Sequence, residues 1–244
     1  MMHWREQLEA DGFALLEAVF SPEQVAIALA EWEAVCDTNA SDPAILANDG
    51  PAYGARNLLQ LWPSVVELVR HPRLREPLLE VLGPRAGVVR ALFFDKPPGH
   101  TWALPWHKDY SIAVAEHRGG TVFTKPTTKA GVPHVMASAG LLNAMLTARI
   151  HLDDATPDNG SLRVIPGSHV HFEMGRDPPR EPVAVCCRAG DVLLMRPLLT
   201  HSSGHSKHDA NRHRRIVHLE CAASPELPDG YRWHTFHSLG DSKC

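Results

Sequence analysis

Residues 149–169 read Arg149-Ile150-His151-Leu152-Asp153-Asp154-Ala155-Thr156-Pro157-Asp158-Asn159-Gly160-Ser161-Leu162-Arg163-Val164-Ile165-Pro166-Gly167-Ser168-His169. The run from Arg149 is a strand, Asp158-Asn159-Gly160 is a polar turn, and Leu162-Arg163-Val164-Ile165 is a second strand that ends in a Pro-Gly corner. Side chains alternate faces along a strand, so Thr147, Arg149 and His151 share one face. Working outward, Val88–Phe94 reads as a strand upstream. Downstream, Gly190–Pro197 gives a turn, a short apolar strand and an exit, and Arg215–Cys221 a further strand. The chain beyond residue 85 is therefore strand-rich.

The first third is different. Residues 2–10 read as a short helix and Gly12–Leu16 as a strand. Ser21-Pro22-Glu23-Gln24 supplies an N-cap, a proline at the first helical position and a capping-box Gln, predicting a helix to about Cys36. Residues 38–52 read as loop, and helices follow at Ser64–Arg70 and Pro72–Leu82, stopped by Gly83-Pro84. No repeat or linker interrupts the chain. The Pro-rich stretch Asp177–Pro182 reads as a surface connection.

Leu104-Pro105-Trp106-His107-Lys108-Asp109 carries the chemistry. In an extended segment residues 107 and 109 point the same way while Lys108 points elsewhere, so the histidine and the carboxylate can chelate one ion. His201, at the exit of the Gly190–Pro197 strand, suits the role of a remote third ligand. Two imidazoles and one carboxylate on one face of an octahedral ion leave positions for substrate oxygens and dioxygen, the ligand set of non-haem Fe(II) oxygenases. The competing reading of any H-x-D in a chain with 16 histidines is a surface His beside an Asp cap.

These motifs together, in this order, resemble the phytanoyl-CoA dioxygenase family of Fe(II)/2-oxoglutarate oxygenases over roughly residues 85–222. The resemblance implies a double-stranded β-helix, a cupin-like jelly-roll barrel braced by N-terminal helices. It also implies Fe(II), 2-oxoglutarate and O2, with His107, Asp109 and His201 as metal ligands. The 2-oxoglutarate anchor falls on Arg214 or Arg215. Arg214 is favoured because the family's strand pattern turns the first basic residue inward, and a guanidinium forks onto a carboxylate as lysine cannot. Ser203 matches a hydroxyl residue used beside the co-substrate, and Arg149 reads as a second anion contact or as an ion pair with Asp153 or Asp154. The intact Asp109 argues for hydroxylation or another oxidation rather than halogenation. Two departures stand out: Lys108 where the family often has Gln, and a long basic segment, Gly204–His213, whose His205 and His208 read as solvated.

On this reading the chain is one domain over 1–244: a mostly helical support over 1–84 and a barrel core over 85–222. A lid insert covers about 95–140, whose Gly, Pro, Thr and Lys content suggests functional loops. Trp102, Tyr110, Lys108, His134 and Arg56 are substrate-pocket candidates, and Trp106 reads as lid packing. Basic residues near the mouth, including Lys96, Lys125 and Lys129, suit a substrate bearing a carboxylate.

Composition narrows the alternatives. A chain of 244 residues can form one large core. Net charge −4 and pI near 6.5 give no nucleic-acid footprint. No long apolar run and no signal-peptide core at Met1–Glu6 predict a cytoplasmic protein without membrane contact, a monomer or homodimer acting on a small molecule. Five cysteines fit free thiols. The rival readings are a non-catalytic cupin-like binding domain and a zinc-dependent hydrolase; neither needs an arginine clamp for 2-oxoglutarate.

Overall fold

The computed structural model describes residues 2–47, 52–176, 178, 180–207 and 211–240. The N-terminal part contains α1 (Trp4–Asp11), β1 (Phe13–Leu16), α2 (Pro22–Thr38), β2 (Ile45–Leu46), β3 (Gly54–Ala55), α3 (Leu58–Leu61), α4 (Val65–Arg70) and α5 (Pro72–Leu82). Then come β4 (Gly87–Phe94), β5 (Leu104–His107), β6 (Ser111–Ala113), β7 (Thr124–Lys129), β8 (Val132–Met136), α6 (Ala139–Asn143) and β9 (Met145–His151). β10 (Leu162–Val164), β11 (Val183–Val185), β12 (Val192–Met195), β13 (His201–Ser203), β14 (Ile216–Ala222) and β15 (His237–Ser238) complete the order.

The described residues form three sheets. The largest runs β1-β12-β9-β14-β4-β3-β2, with β15 added to β4; a smaller one runs β11-β10-β13-β5; the third is β6-β8-β7. The first two face each other as a double-stranded β-helix, although they do not close into a continuous barrel. Alternation decides what each face meets. Leu146, Ala148 and Ile150 of β9 and Val217, Leu219 and Cys221 of β14 pack outward against the helices, in one core with Leu58, Val65, Leu74 and Leu78. Trp32 of α2 stacks on Phe93 of β4 with ring centroids 3.9 Å apart. Each such buried side chain contributes about 1.5–3 kcal/mol, which outweighs the weak intrinsic stability of helices this short. The intervening residues, Arg149, His218 and Glu220 among them, point between the sheets. There a buried apolar cluster, with Leu162, Val164 and Val185 against Phe13, Leu193 and Met195, joins the sheets on one side.

The predicted capping box is formed: Ser21 accepts from the Gln24 backbone N–H at 3.3 Å, and the Gln24 side chain accepts from Ser21 N–H at 2.9 Å. Three features go beyond the sequence reading. The loop predicted over 38–52 contains the short strand β2, held by two residue pairs with β3, while residues 48–51 lie outside the described residues. α3 was not predicted, because a single turn begun at Asn57 in the left-handed region (φ 53°) shows no helical period. The segment 110–140, expected as lid loops, contains the three strands of the third sheet and the start of α6. Ile112, Val114 and Val135 there pack with Leu142, Leu198, Tyr231 and Trp233. Asp177 and Pro179 of the Pro-rich connection lie outside the described residues, as does His208.

Candidate active site

β5 is an edge strand paired antiparallel to β13, with His107 opposite His201 and Leu104 opposite Ser203. The register shift between those pairs is a bulge that takes in Pro105 and Trp106, which fits a proline on an edge strand and re-aims the histidine that follows. Asp109 lies just past the strand, its backbone N–H donating to Pro197 O at 2.9 Å. Each imidazole is oriented by a carbonyl: His107 Nδ1 sits 2.7 Å from Pro105 O, and His201 Nδ1 2.8 Å from Leu199 O. Donation through Nδ1 leaves both Nε2 lone pairs free. They face one carboxylate, at 3.9 Å from His107 to Asp109 Oδ1 and 3.7 Å from His201 to Oδ2. Those separations are too long for hydrogen bonds. The three donor atoms lie within 4.8 Å of one another, the spacing of ligands around one ion. Burial pushes the His201 imidazole down to about 4, keeping it in the neutral, ligating form. At Asp109 burial acts upward, but His201, His218, His107 and Arg90 outweigh it and hold the carboxyl below its ordinary value.

The triad opens on a cavity of about 160 Å³ between the two sheets. Arg214 lies in its wall, 1% exposed, with Nε and Nη1 buried and lacking any hydrogen-bond partner. Burial, then the neighbouring Arg149, pushes this guanidinium down to about 9. A buried cation with unused donors is costly unless an anion fills the site. Arg215, the next residue, points away: Nε and Nη2 each donate to Asp153 at 2.8 Å. Arg149 also lines the cavity; it donates to His218 Nδ1 at 3.1 Å rather than pairing with Asp153 or Asp154, and its Nε has no partner. Ser203 borders the same space and accepts from Lys96 Nζ at 2.7 Å. Lys96 is fully buried and also donates to Gly160 O at 3.3 Å and to Gly204 O, so it belongs to the inner wall and not to the mouth. Gly160 permits this: its φ of 73° and a hypothetical Cβ 2.5 Å from Gly204 O exclude a side chain.

Of the pocket candidates, Trp102 lines the cavity, its Nε1 donating to Asp95 O at 2.7 Å and its ring 5.9 Å from the Arg214 guanidinium. The other four lie outside the lining of this cavity. Lys108 is buried on the opposite side of the segment, donating to Ser168 O, His171 O and Leu198 O at 2.7, 3.0 and 2.9 Å. Tyr110 donates to Phe172 O and packs on that ring. His134 borders a separate small cleft, and Arg56 borders neither that cleft nor the cavity. Trp106 is exposed beneath the Arg163 guanidinium, and His205 is exposed. Arg90, His218 and Glu220 line the cavity although sequence reasoning passed over them. The signal for two of them was present: His218 and Glu220 alternate with the apolar residues of β14.

The model of the phytanoyl-CoA dioxygenase (PhyH) family matches residues 8–214. Ectoine dioxygenase of Bordetella bronchiseptica is 31% identical over 175 residues, covering 68% of this chain and 49% of that protein. Ectoine dioxygenase of Nocardia farcinica is 27% identical over 168 residues, covering 67% of this chain and 49% of that protein. The chain thus spans about half the length of these curated relatives. Among solved structures, EctD from S. alaskensis with 2-oxoglutarate and 5-hydroxyectoine superposes with a TM-score of 0.69 at 18% identity, over 99% of this chain and 81% of that one. The 2-oxoglutarate-dependent carbocyclase SnoK from nogalamycin biosynthesis gives 0.65 at 20% identity, over 93% and 87%. Both share the fold. No helix among the described residues is long and apolar enough to cross a membrane.

Proposed function

The chain belongs to the phytanoyl-CoA dioxygenase family, and from that premise we propose that it is an Fe(II)- and 2-oxoglutarate-dependent dioxygenase that hydroxylates a small-molecule metabolite. One observation carries the reading: a His-Asp-His donor set opens on the same cavity as a buried guanidinium whose donors have no protein partner. A zinc hydrolase or a binding module would have no use for that unpaired arginine.

The donor set fits a hard-to-borderline divalent ion, and iron held there would supply dioxygen activation coupled to decarboxylation of 2-oxoglutarate to succinate. The protein's own contribution is placement. The carbonyls of Pro105 and Leu199 fix both imidazoles in the ligating tautomer. Arg214 would fork onto the distal carboxylate of 2-oxoglutarate, with Trp102 beside it and Ser203 and Lys96 closing that wall. Arg149 adds positive charge next to the same wall. Leu104, Leu162 and Phe94 supply the apolar part of the cavity lining, where a charge interaction is stronger than in open water.

The test is stoichiometric. With a turned-over substrate, one dioxygen and one 2-oxoglutarate should be consumed per product, and hydroxylated product should carry label from oxygen-18 gas. Product formed without succinate, or label drawn wholly from water, would overturn the reading.

A further inference from the structure

Beyond the co-substrate wall, the cavity carries a second charged feature. β14 and β4 pair so that Glu220 stands directly opposite Arg90, and Arg90 Nη1 donates to Glu220 Oε1 at 2.9 Å. His218, between Arg214 and Glu220 on the same inward face, has its Nε2 3.6 Å from Glu220 Oε1 and accepts from Arg149 through Nδ1. A row of polar groups therefore runs along one cavity wall, from the unpaired Arg214 to the Arg90–Glu220 pair.

The pair is incomplete. Its contact is single-pronged, whereas an Arg–carboxylate pair that serves only the fold gains most from two parallel hydrogen bonds. Arg215 and Asp153 make that two-pronged contact outside the cavity. Among the described residues no side-chain or backbone group bonds the second Glu220 oxygen or the remaining Arg90 nitrogens, and both residues line the cavity. Arg214, with Arg149 beside it, is assigned to the co-substrate wall, so the Arg90–Glu220 pair is the charged feature left to meet whatever else enters.

We propose that Arg90 and Glu220 read the two charges of a zwitterionic substrate, one carrying a carboxylate and a cationic N–H group in the manner of an amino acid or cyclic imino acid. The proposal rests on the oxygenase reading of the same cavity. A simple carboxylate would meet Arg90 but lie against Glu220; a simple amine would meet the reverse conflict. A zwitterion satisfies the free donors of one and the free oxygen of the other, and like-charge juxtaposition rejects the rest.

The experiment uses the iron-loaded protein with 2-oxoglutarate and matched sets of small compounds: amino and imino acids, their des-amino acids and their decarboxylated amines. Substrate-stimulated succinate release is read for each. At least one zwitterion should stimulate release, with kcat/KM at least about tenfold above its singly charged partners. Glu220→Gln should erode the preference over the des-amino acid, and Arg90→Gln the preference over the amine. Stimulation led by singly charged or neutral compounds, or by no zwitterion in the panel, would overturn the proposal. Because the Fe(II)–2-oxoglutarate chelate of the unmutated protein is read separately, by its visible absorption, that failure is distinguishable from failure of the oxygenase reading.

Discussion

Arg214 and Arg215 are neighbours that turn in opposite directions: Arg215 grips Asp153 with two hydrogen bonds outside the cavity, and Arg214 is buried in the cavity wall with two nitrogens unpartnered. A bidentate charge-assisted contact is worth roughly 1.5–3 kcal/mol. Arg214→Ala should therefore raise the apparent 2-oxoglutarate constant about ten- to a hundredfold, and Arg215→Ala should change it much less while lowering the melting temperature slightly. Initial rates against 2-oxoglutarate concentration decide it; the reverse order would exchange the two roles.

The triad makes a sharper demand. His107→Ala, Asp109→Ala and His201→Ala should each abolish iron-dependent turnover while circular dichroism stays that of the parent, since removing one member of a three-donor face costs both affinity and geometry. Normal activity in His201→Ala would exclude His201 as a ligand.

Lys108, placed by sequence in the substrate pocket, instead ties together three carbonyls from two distant loops. Lys108→Met leaves those carbonyls without their donor, so it should lower stability by about 2–4 kcal/mol in denaturant unfolding. KM for 2-oxoglutarate in the folded fraction should stay close to that of the parent.

Acid should weaken the fold partly through His134. Burial first, then Arg90 and Lys129, pushes its imidazole down to about 4, while the Val132 carbonyl acts the other way. The unfolded chain binds a proton near pH 6.5, so between about 6.5 and 4 the unfolded state holds more protons and stability falls as pH falls, by at most about 1.4 kcal/mol per unit. Above 6.5 the contribution is complete. His134→Phe should lose less stability than the parent between pH 7 and pH 5; equal losses would place the acid sensitivity elsewhere.

What the sequence disclosed and what it hid follow from the range of the forces involved. The Ser21–Gln24 capping box and the alternation of β9 and β14 are local, so they can be read directly. Alternation made it legible that Arg214 and Arg215 take opposite faces, while the choice of Arg214 as the inward one came from the family resemblance. The third sheet was hidden: β7 is Thr-Lys-Pro-Thr-Thr-Lys, exposed nearly throughout, so no apolar alternation marks it. The hairpin to β8 turns at Ala130, a non-glycine residue with φ of 46°. Lys108 and the Arg90–Glu220 pair were hidden for another reason: their partners are 60 to 130 residues away in the chain. Sheet register brings Arg90 and Glu220 together, and the packing of two loops against the end of β5 brings the carbonyls to Lys108.

The most direct test is anaerobic titration of the metal-free protein with Fe(II) and then 2-oxoglutarate, followed by visible absorption. A weak charge-transfer band should appear only when both are present, be lost in Asp109→Ala, and be followed on admitting oxygen by succinate release above a metal-free control. Neither band nor succinate from folded, iron-loaded protein would contradict the account and leave a cupin-like binding domain as the better description of the chain.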